Sequence, residues 1–149
     1  AAFLLGAEGV QVGTRFLASE ECPIHENYKR LVVKARDTGT VVTGRSTGHP
    51  VRSLKNRLTR RFLDLEREGV GFEALETLAV GSLRRAVQDG DLENGSFMAG
   101  QSAVLVKAVE PCRTIIESMF RDAARILDRS GAYLLGGGCR FPDMEGGRP

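Results

Sequence analysis

The chain has 149 residues, 42% of them hydrophobic and 27% charged, the balance of a soluble globular domain. Lys and Arg number 21 against 19 Asp and Glu, so no strong positive excess is present to hold a nucleic acid. No apolar run approaches the roughly 20 residues a spanning helix needs, and no signal peptide is visible. The three cysteines, Cys22, Cys112 and Cys139, are odd in number and match no zinc spacing, so reduced thiols in the cytoplasm are expected, with no membrane partner and no metal site.

Residues 1–5 read as the end of a helix stopped by Gly6, and an apolar opening without Met or cap reads as that of a fragment. Residues 9–12 form a strand candidate with Val10 and Val12 on one face, and residues 14–19 a brief helical turn. Tyr28, Leu31, Val32 and Ala35 recur at helical spacing over 26–36, and the β-branched run 40–43 predicts a second strand. Residues 44–50 are turn-rich, with Gly44, Ser46, Gly48 and Pro50. Leu54, Leu58, Phe62 and Leu65 then predict a basic helix, or a pair of helices, over 51–68; Asp64, Glu66 and Glu68 offset its arginines, so it reads as a solvated face rather than a nucleic-acid helix.

Two short helices are predicted at 72–79 and 82–88, with turns over 89–95. The nearly apolar stretch 96–106 reads as a covered helix interrupted by Gln101. Pro111 opens the clearest helix, with Ile115, Ile116, Met119, Phe120, Ala123, Ile126 and Leu127 on one stripe. The Gly-rich tail from residue 131 should be mobile or irregular. Two strands do not make an independent sheet core. The expected fold is therefore either mostly helical or part of a sheet completed by other sequence, and the opening favours the second.

Three segments offer chemistry. In the run Gly9 to Arg15, a strand ending in Gly13-Thr14 at a helical turn presents backbone N–H groups and a hydroxyl, the donors a phosphate needs; an ordinary strand-to-helix turn is the alternative. The loop holding Arg45, Ser46, Thr47, Gly48 and His49 could bind phosphate or place a base, although no Asp or Cys accompanies His49, which also suits a loop or capping role. Gly100 and Gln101 put a polar amide into an apolar run, where it must meet a neighbouring loop or a ligand. His25 reads as a helix cap, and Cys112, in a first helical turn, lacks a base in sequence. Paired carboxylates for general acid–base work are not indicated.

Three motifs occur in one order: Glu8-Gly9-Val10-Gln11-Val12-Gly13-Thr14-Arg15-Phe16; Thr43-Gly44-Arg45-Ser46-Thr47-Gly48-His49-Pro50-Val51-Arg52 with Lys55-Asn56; and Gly95-Ser96-Phe97-Met98-Ala99-Gly100-Gln101. Together, over about residues 1–128, they resemble the C-terminal half of the flavin-dependent enoyl-acyl-carrier-protein reductases, which group with the nitronate monooxygenases. The resemblance implies an α/β fold: the last strand of an FMN-binding TIM barrel, itself incomplete here, plus a mostly helical covering subdomain. The implied division is 1–19 for the last strand and adjoining turns, 20–109 for the covering subdomain, 110–130 for the C-terminal helix and 131–149 for the tail.

On that resemblance Gln11, Gly13, Thr14 and Gln101 would serve the FMN, and Arg45, His49 and Met98 would lie on the substrate side. The catalytic histidine of the family and most contacts to the flavin ring belong to the other half; neither His25 nor His49 replaces them, and the chain alone is expected to be inactive. The implied activity is reduction of 2-enoyl thioesters on acyl carrier protein by NADH or NADPH in fatty acid biosynthesis, with a homodimer as the suggested assembly. Nitronate oxidation by FMN and oxygen is the second reading, and a non-enzymatic helical interaction domain the third.

Overall fold

The computed structural model describes residues 1–134, with side chains to residue 129, and divides into a unit of Ala1–Cys112 and one beginning at Arg113. The first unit opens with a 3-10 turn, Phe3–Leu5, closed by Gly6 at a φ of 92°. Helix α1 (Thr14–Leu17) and α2 (Glu26–Val33) follow; the predicted cap is present, with the His25 Nδ1 accepting from the Asn27 N–H at 3.1 Å. Strands β1 (Thr40–Thr43) and β2 (Val51–Leu54) pair antiparallel, Thr40 opposite Leu54 and Thr43 opposite Val51. Then come α3 (Arg57–Arg67), α4 (Phe72–Ala79) and α5 (Ser82–Arg84), the last running on into a widened turn over residues 85–89.

Three expectations are corrected. Residues 9–12 are not a strand, and Val10 is 54% exposed. A strand needs a neighbour to satisfy its N–H and C=O groups, and among the described residues the one sheet is the β1–β2 hairpin. Residues 51–68 are not continuous helix. Val51 to Leu54 pair with β1, and Asn56 then caps α3: its side chain accepts from the Thr59 N–H at 3.0 Å while the Thr59 hydroxyl accepts from the Asn56 N–H at 2.9 Å. Residues 96–106 are not a helix either. Phe97 to Ala99 instead run beside β2 through one isolated antiparallel bridge, Ser53 opposite Met98, with Leu54 donating to the Phe97 carbonyl at 2.8 Å and Ala99 to that of Arg52 at 3.2 Å. The chain tightens into a 3-10 turn only at Gln101–Leu105.

The core lies between α2, β2 and the segment 97–99, on Tyr28, Val32, Leu54, Phe97, Ala99 and Val106. Tyr28 meets Phe97 edge to face, ring centroids 4.9 Å apart, and its hydroxyl donates to the Met98 carbonyl at 2.6 Å. Burial pushes the Tyr28 phenol up to about 12. An unfolded tyrosine titrates near 10, so this stabilisation is complete below pH 10 and is lost between about pH 10 and pH 12, where the unfolded chain gives up a proton the folded chain keeps. Near pH 11 the parent should have lost about 1 kcal/mol more than Tyr28→Phe, relative to pH 9, in urea titrations. Equal losses in the two proteins would mean that the phenol titrates normally.

The second unit carries α6 (Cys112–Leu134), lined by the i,i+4 pair Arg113–Glu117 and the i,i+3 pair Asp122–Arg125. Within the first unit, both Glu21 carboxylate oxygens accept from the Cys112 N–H, at 3.0 and 2.9 Å, and this bond holds Glu21 below the usual carboxylate range. The Cys112 side chain hydrogen-bonds the same carboxylate and lowers it further. Residues 131–134, expected as the start of an irregular tail, continue α6, which runs past residue 130; from residue 135 the tail lies outside the described residues. No described helix is long and apolar enough to cross a membrane.

Candidate functional site

Gly13 precedes the first turn of α1, and no side chain caps that turn. The Thr14 and Arg15 N–H groups therefore lack both an intrahelical acceptor and a cap, while the Phe16 N–H donates to the Gly13 carbonyl at 3.0 Å. A Cβ built on Gly13 would meet nothing within 4 Å, so the turn is open to a ligand. The Thr14 hydroxyl, rather than capping its own helix, accepts from the Gly100 N–H at 2.9 Å, across 86 residues of sequence. Because the Thr14 oxygen accepts there, its own proton is directed elsewhere, and the hydroxyl remains a donor.

Gln101 begins the 3-10 turn next to Gly100 and is exposed; Gln11 is exposed two residues before Gly13. The structure thus brings Thr14 against Gly100, with Gly13 and Gln101 as their neighbours in the chain. Arg15, the obvious cation of the motif, is committed elsewhere. Its guanidinium donates to the Ala108 carbonyl at 3.2 Å and pairs with the Glu110 carboxylate. Any anion at this turn is held by neutral donors.

A second feature lies within the same unit, a cavity of about 310 Å³ between the hairpin, α3 and α4. Leu58, Phe62, Phe72 and Leu75 supply apolar walls, with the hydroxyl residues Ser53 and Ser96 on another side. His49 and Met98 both line it; Arg45 is exposed on the neighbouring loop and does not. The two features share one segment. Met98 reaches the cavity, its carbonyl is held by Tyr28, and Gly100 two residues later touches Thr14.

Sequence reasoning missed the contact between Ser46 and Glu66. Glu66 accepts from the Ser46 N–H at 3.1 Å and from its hydroxyl at 2.8 Å. Partial burial works to raise the Glu66 carboxyl, but the bonds from Ser46, with those from the Gly44 and Arg45 backbone, outweigh it and leave the group below its ordinary range. A Gly-rich loop that looked ready for an external anion is thus satisfied by an internal one; no local pattern links two residues 20 apart across a strand. Among the described residues no group of His, Cys, Asp and Glu is placed to hold a metal ion.

Residues 1–122 match the sequence model of the nitronate monooxygenase family, and the chain belongs to that family. It is 31% identical over 129 residues to a probable nitronate monooxygenase of Staphylococcus saprophyticus, covering 87% of this chain and 36% of that protein. It is 29% identical over 127 residues to one of Staphylococcus aureus, covering 85% and 36%. Among solved structures, FabK from Thermotoga maritima superposes with a TM-score of 0.84 at 46% identity, over 89% of this chain and 42% of that one. Its M276A mutant superposes at 0.75 with 43% identity. The chain therefore spans between about a third and a half of the length of these relatives.

Proposed function

We propose that this chain supplies the phosphate-holding turn and the covering subdomain of an FMN-dependent oxidoreductase that reduces 2-enoyl-acyl-carrier-protein thioesters with NADH or NADPH. In this reading residues 9–12 are the last strand of a TIM barrel, paired in the whole protein with a strand outside this chain. The superposition on FabK, over 89% of this chain but only 42% of that one, supports it. The observation that carries the reading is the Gly100 N–H on the Thr14 oxygen beside an uncapped turn.

The donor set fits a phosphate monoester. The Thr14 and Arg15 N–H groups and the Thr14 hydroxyl are donors, and no carboxylate is bonded to Gly13 or Thr14. Gly13 keeps the approach open, and Gln11 and Gln101 lie close to Gly13 and Gly100 in the chain. When bound, FMN would supply two-electron transfer between the nicotinamide and the enoyl thioester. The residues of this chain bind and orient: Thr14 fixes the phosphate end, the segment from Phe97 to Gly100 ties that end to the cavity, and Met98 and His49 line the space for substrate. Arg45, exposed at the loop, suits contact with a carrier-borne group rather than the cavity itself. No turnover is expected from this chain alone, which spans 42% of the FabK chain.

Nitronate oxidation is the second reading, favoured by the family model and the curated staphylococcal relatives. The higher identity to FabK, 46% against 31%, favours the reductase. The third reading, a non-enzymatic helical domain, needs an all-helical core burying Val10, whereas Val10 is exposed and the core includes Leu54 of the hairpin and Phe97 and Ala99 bonded beside it.

A chimera decides between the two enzymes. Residues 1–128 replace the matching part of Thermotoga FabK, and two rates are compared: NAD(P)H consumption with a short 2-enoyl thioester, and oxygen uptake with an alkyl nitronate. The reductase reading predicts the first to exceed the second by at least about 100-fold, the scale of a pocket-level discrimination. Nitronate oxidation alone would reverse the assignment.

A further inference from the structure

We infer that Glu66 is a positioning residue: by holding the loop of residues 44–48 through Ser46, it fixes His49 at the mouth of the cavity. The loop leaves β1 at Gly44 and returns to β2 through Pro50, and both Gly44 and Gly48 have positive φ, +78° and +76°. Its internal bonds set its shape, the Thr47 hydroxyl donating to the Gly44 carbonyl at 3.0 Å and the His49 N–H to the same carbonyl at 3.1 Å. Those bonds close the loop on itself without fixing it to the helices that form the cavity wall.

Glu66 provides that attachment. It lies in the last turns of α3, whose start is locked by the Asn56–Thr59 capping box and whose Leu58 and Phe62 line the cavity. One carboxylate oxygen takes both Ser46 donors. With the loop held to α3, Thr47 and His49 line the cavity and the His49 ring stands 6.5 Å from Phe72 on α4. A charged acceptor on two converging donors is a stronger tie than a neutral one. The loop and its helix therefore move as one piece, and His49 moves with them.

This inference rests on the proposed function only for calling His49 a substrate-side residue. The test uses neither flavin nor substrate, so it fails or succeeds independently of that reading. In the full chain, trypsin cleavage after the exposed Arg45 reports loop opening, because cleavage follows the population of the open form. The His49 ring proton resonance reports its position against Phe72. Glu66→Ala should raise cleavage after Arg45 about tenfold and shift the His49 resonance, with other arginine sites unchanged. Ser46→Ala should act in the same direction, Ser46→Thr should restore the parent behaviour, and adding Ser46→Ala to Glu66→Ala should have little further effect.

Unchanged cleavage and an unchanged His49 signal in Glu66→Ala would overturn the inference; Ser46→Ala, which leaves the Ser46 N–H on the carboxylate, should give a smaller rise. So would a rise shared equally by all arginine sites, which marks general loosening. If Glu66→Ala does not fold, Glu66→Gln decides: it keeps an acceptor without the charge, so a smaller rise in cleavage after Arg45 is expected and no rise would overturn the inference.

Discussion

Phe97→Ala is expected to remove about 3–5 kcal/mol of stability, the usual loss when a buried aromatic ring is cut to a methyl group. Phe97 has no exposed surface and is the largest fully buried side chain. Its ring takes the edge contact of Tyr28, and Gly95 lies so close that even a Cβ there would come within 2.9 Å of it. Alanine keeps the backbone bond from Leu54 to the residue 97 carbonyl, so the loss isolates the ring and its cavity rather than the strand pairing. Against a typical total of about 5–15 kcal/mol, that is a large share. Urea unfolding read by circular dichroism measures it. A loss below about 1 kcal/mol would mean that the site collapses freely and that the core is elsewhere.

Gly44→Ala comes second, at about 3 kcal/mol. Left-handed backbone costs a non-glycine residue roughly 1–2 kcal/mol, and Gly44 has a φ of +78°. Here a Cβ would also stand 2.4 Å from the His49 carbonyl oxygen, a backbone atom that yields only if the loop opens. Opening it breaks the bond from the His49 N–H to the Gly44 carbonyl. Gly48→Ala is the control. Its φ is nearly the same, but its Cβ would meet nothing within 4 Å, so about 1 kcal/mol is expected. Equal losses at the two positions would show that conformation alone, and not the close approach, restrains Gly44.

Local signals in the sequence were reliable where the structure is local. Helix α4 spans residues 72–79 as its apolar spacing predicts, β1 covers the β-branched run 40–43, and His25 caps α2. The failures share a cause. Leu54, Leu58, Phe62 and Leu65 keep a helical period straight across Asn56, yet residues 51–54 pair with β1 because extended backbone there completes a ladder with distant partners. The apolar run from Ser96 was misread for the same reason, since its conformation is set by Arg52 and Leu54.

The candidate site shows the same division. Gly13 and Thr14 were visible as a local turn chemistry. Their partner was visible only as a polar interruption near Gln101, whereas the group that reaches Thr14 is the Gly100 backbone, which carries no sequence signature. The commitment of Arg15 to Glu110 and of Glu66 to Ser46 had no local mark either.

The central claim is that Thr14 holds a cofactor phosphate, and flavin binding to the FabK chimera tests it most directly. The affinities of FMN and of riboflavin, which lacks the phosphate, are compared between the parent chimera and its Thr14→Val variant. Loss of one hydrogen bond to a charged group, about 1.5–3 kcal/mol, should weaken FMN binding roughly 10- to 100-fold and leave riboflavin binding unchanged. Equal weakening of both flavins, or of neither, would contradict the account and remove the phosphate from this turn.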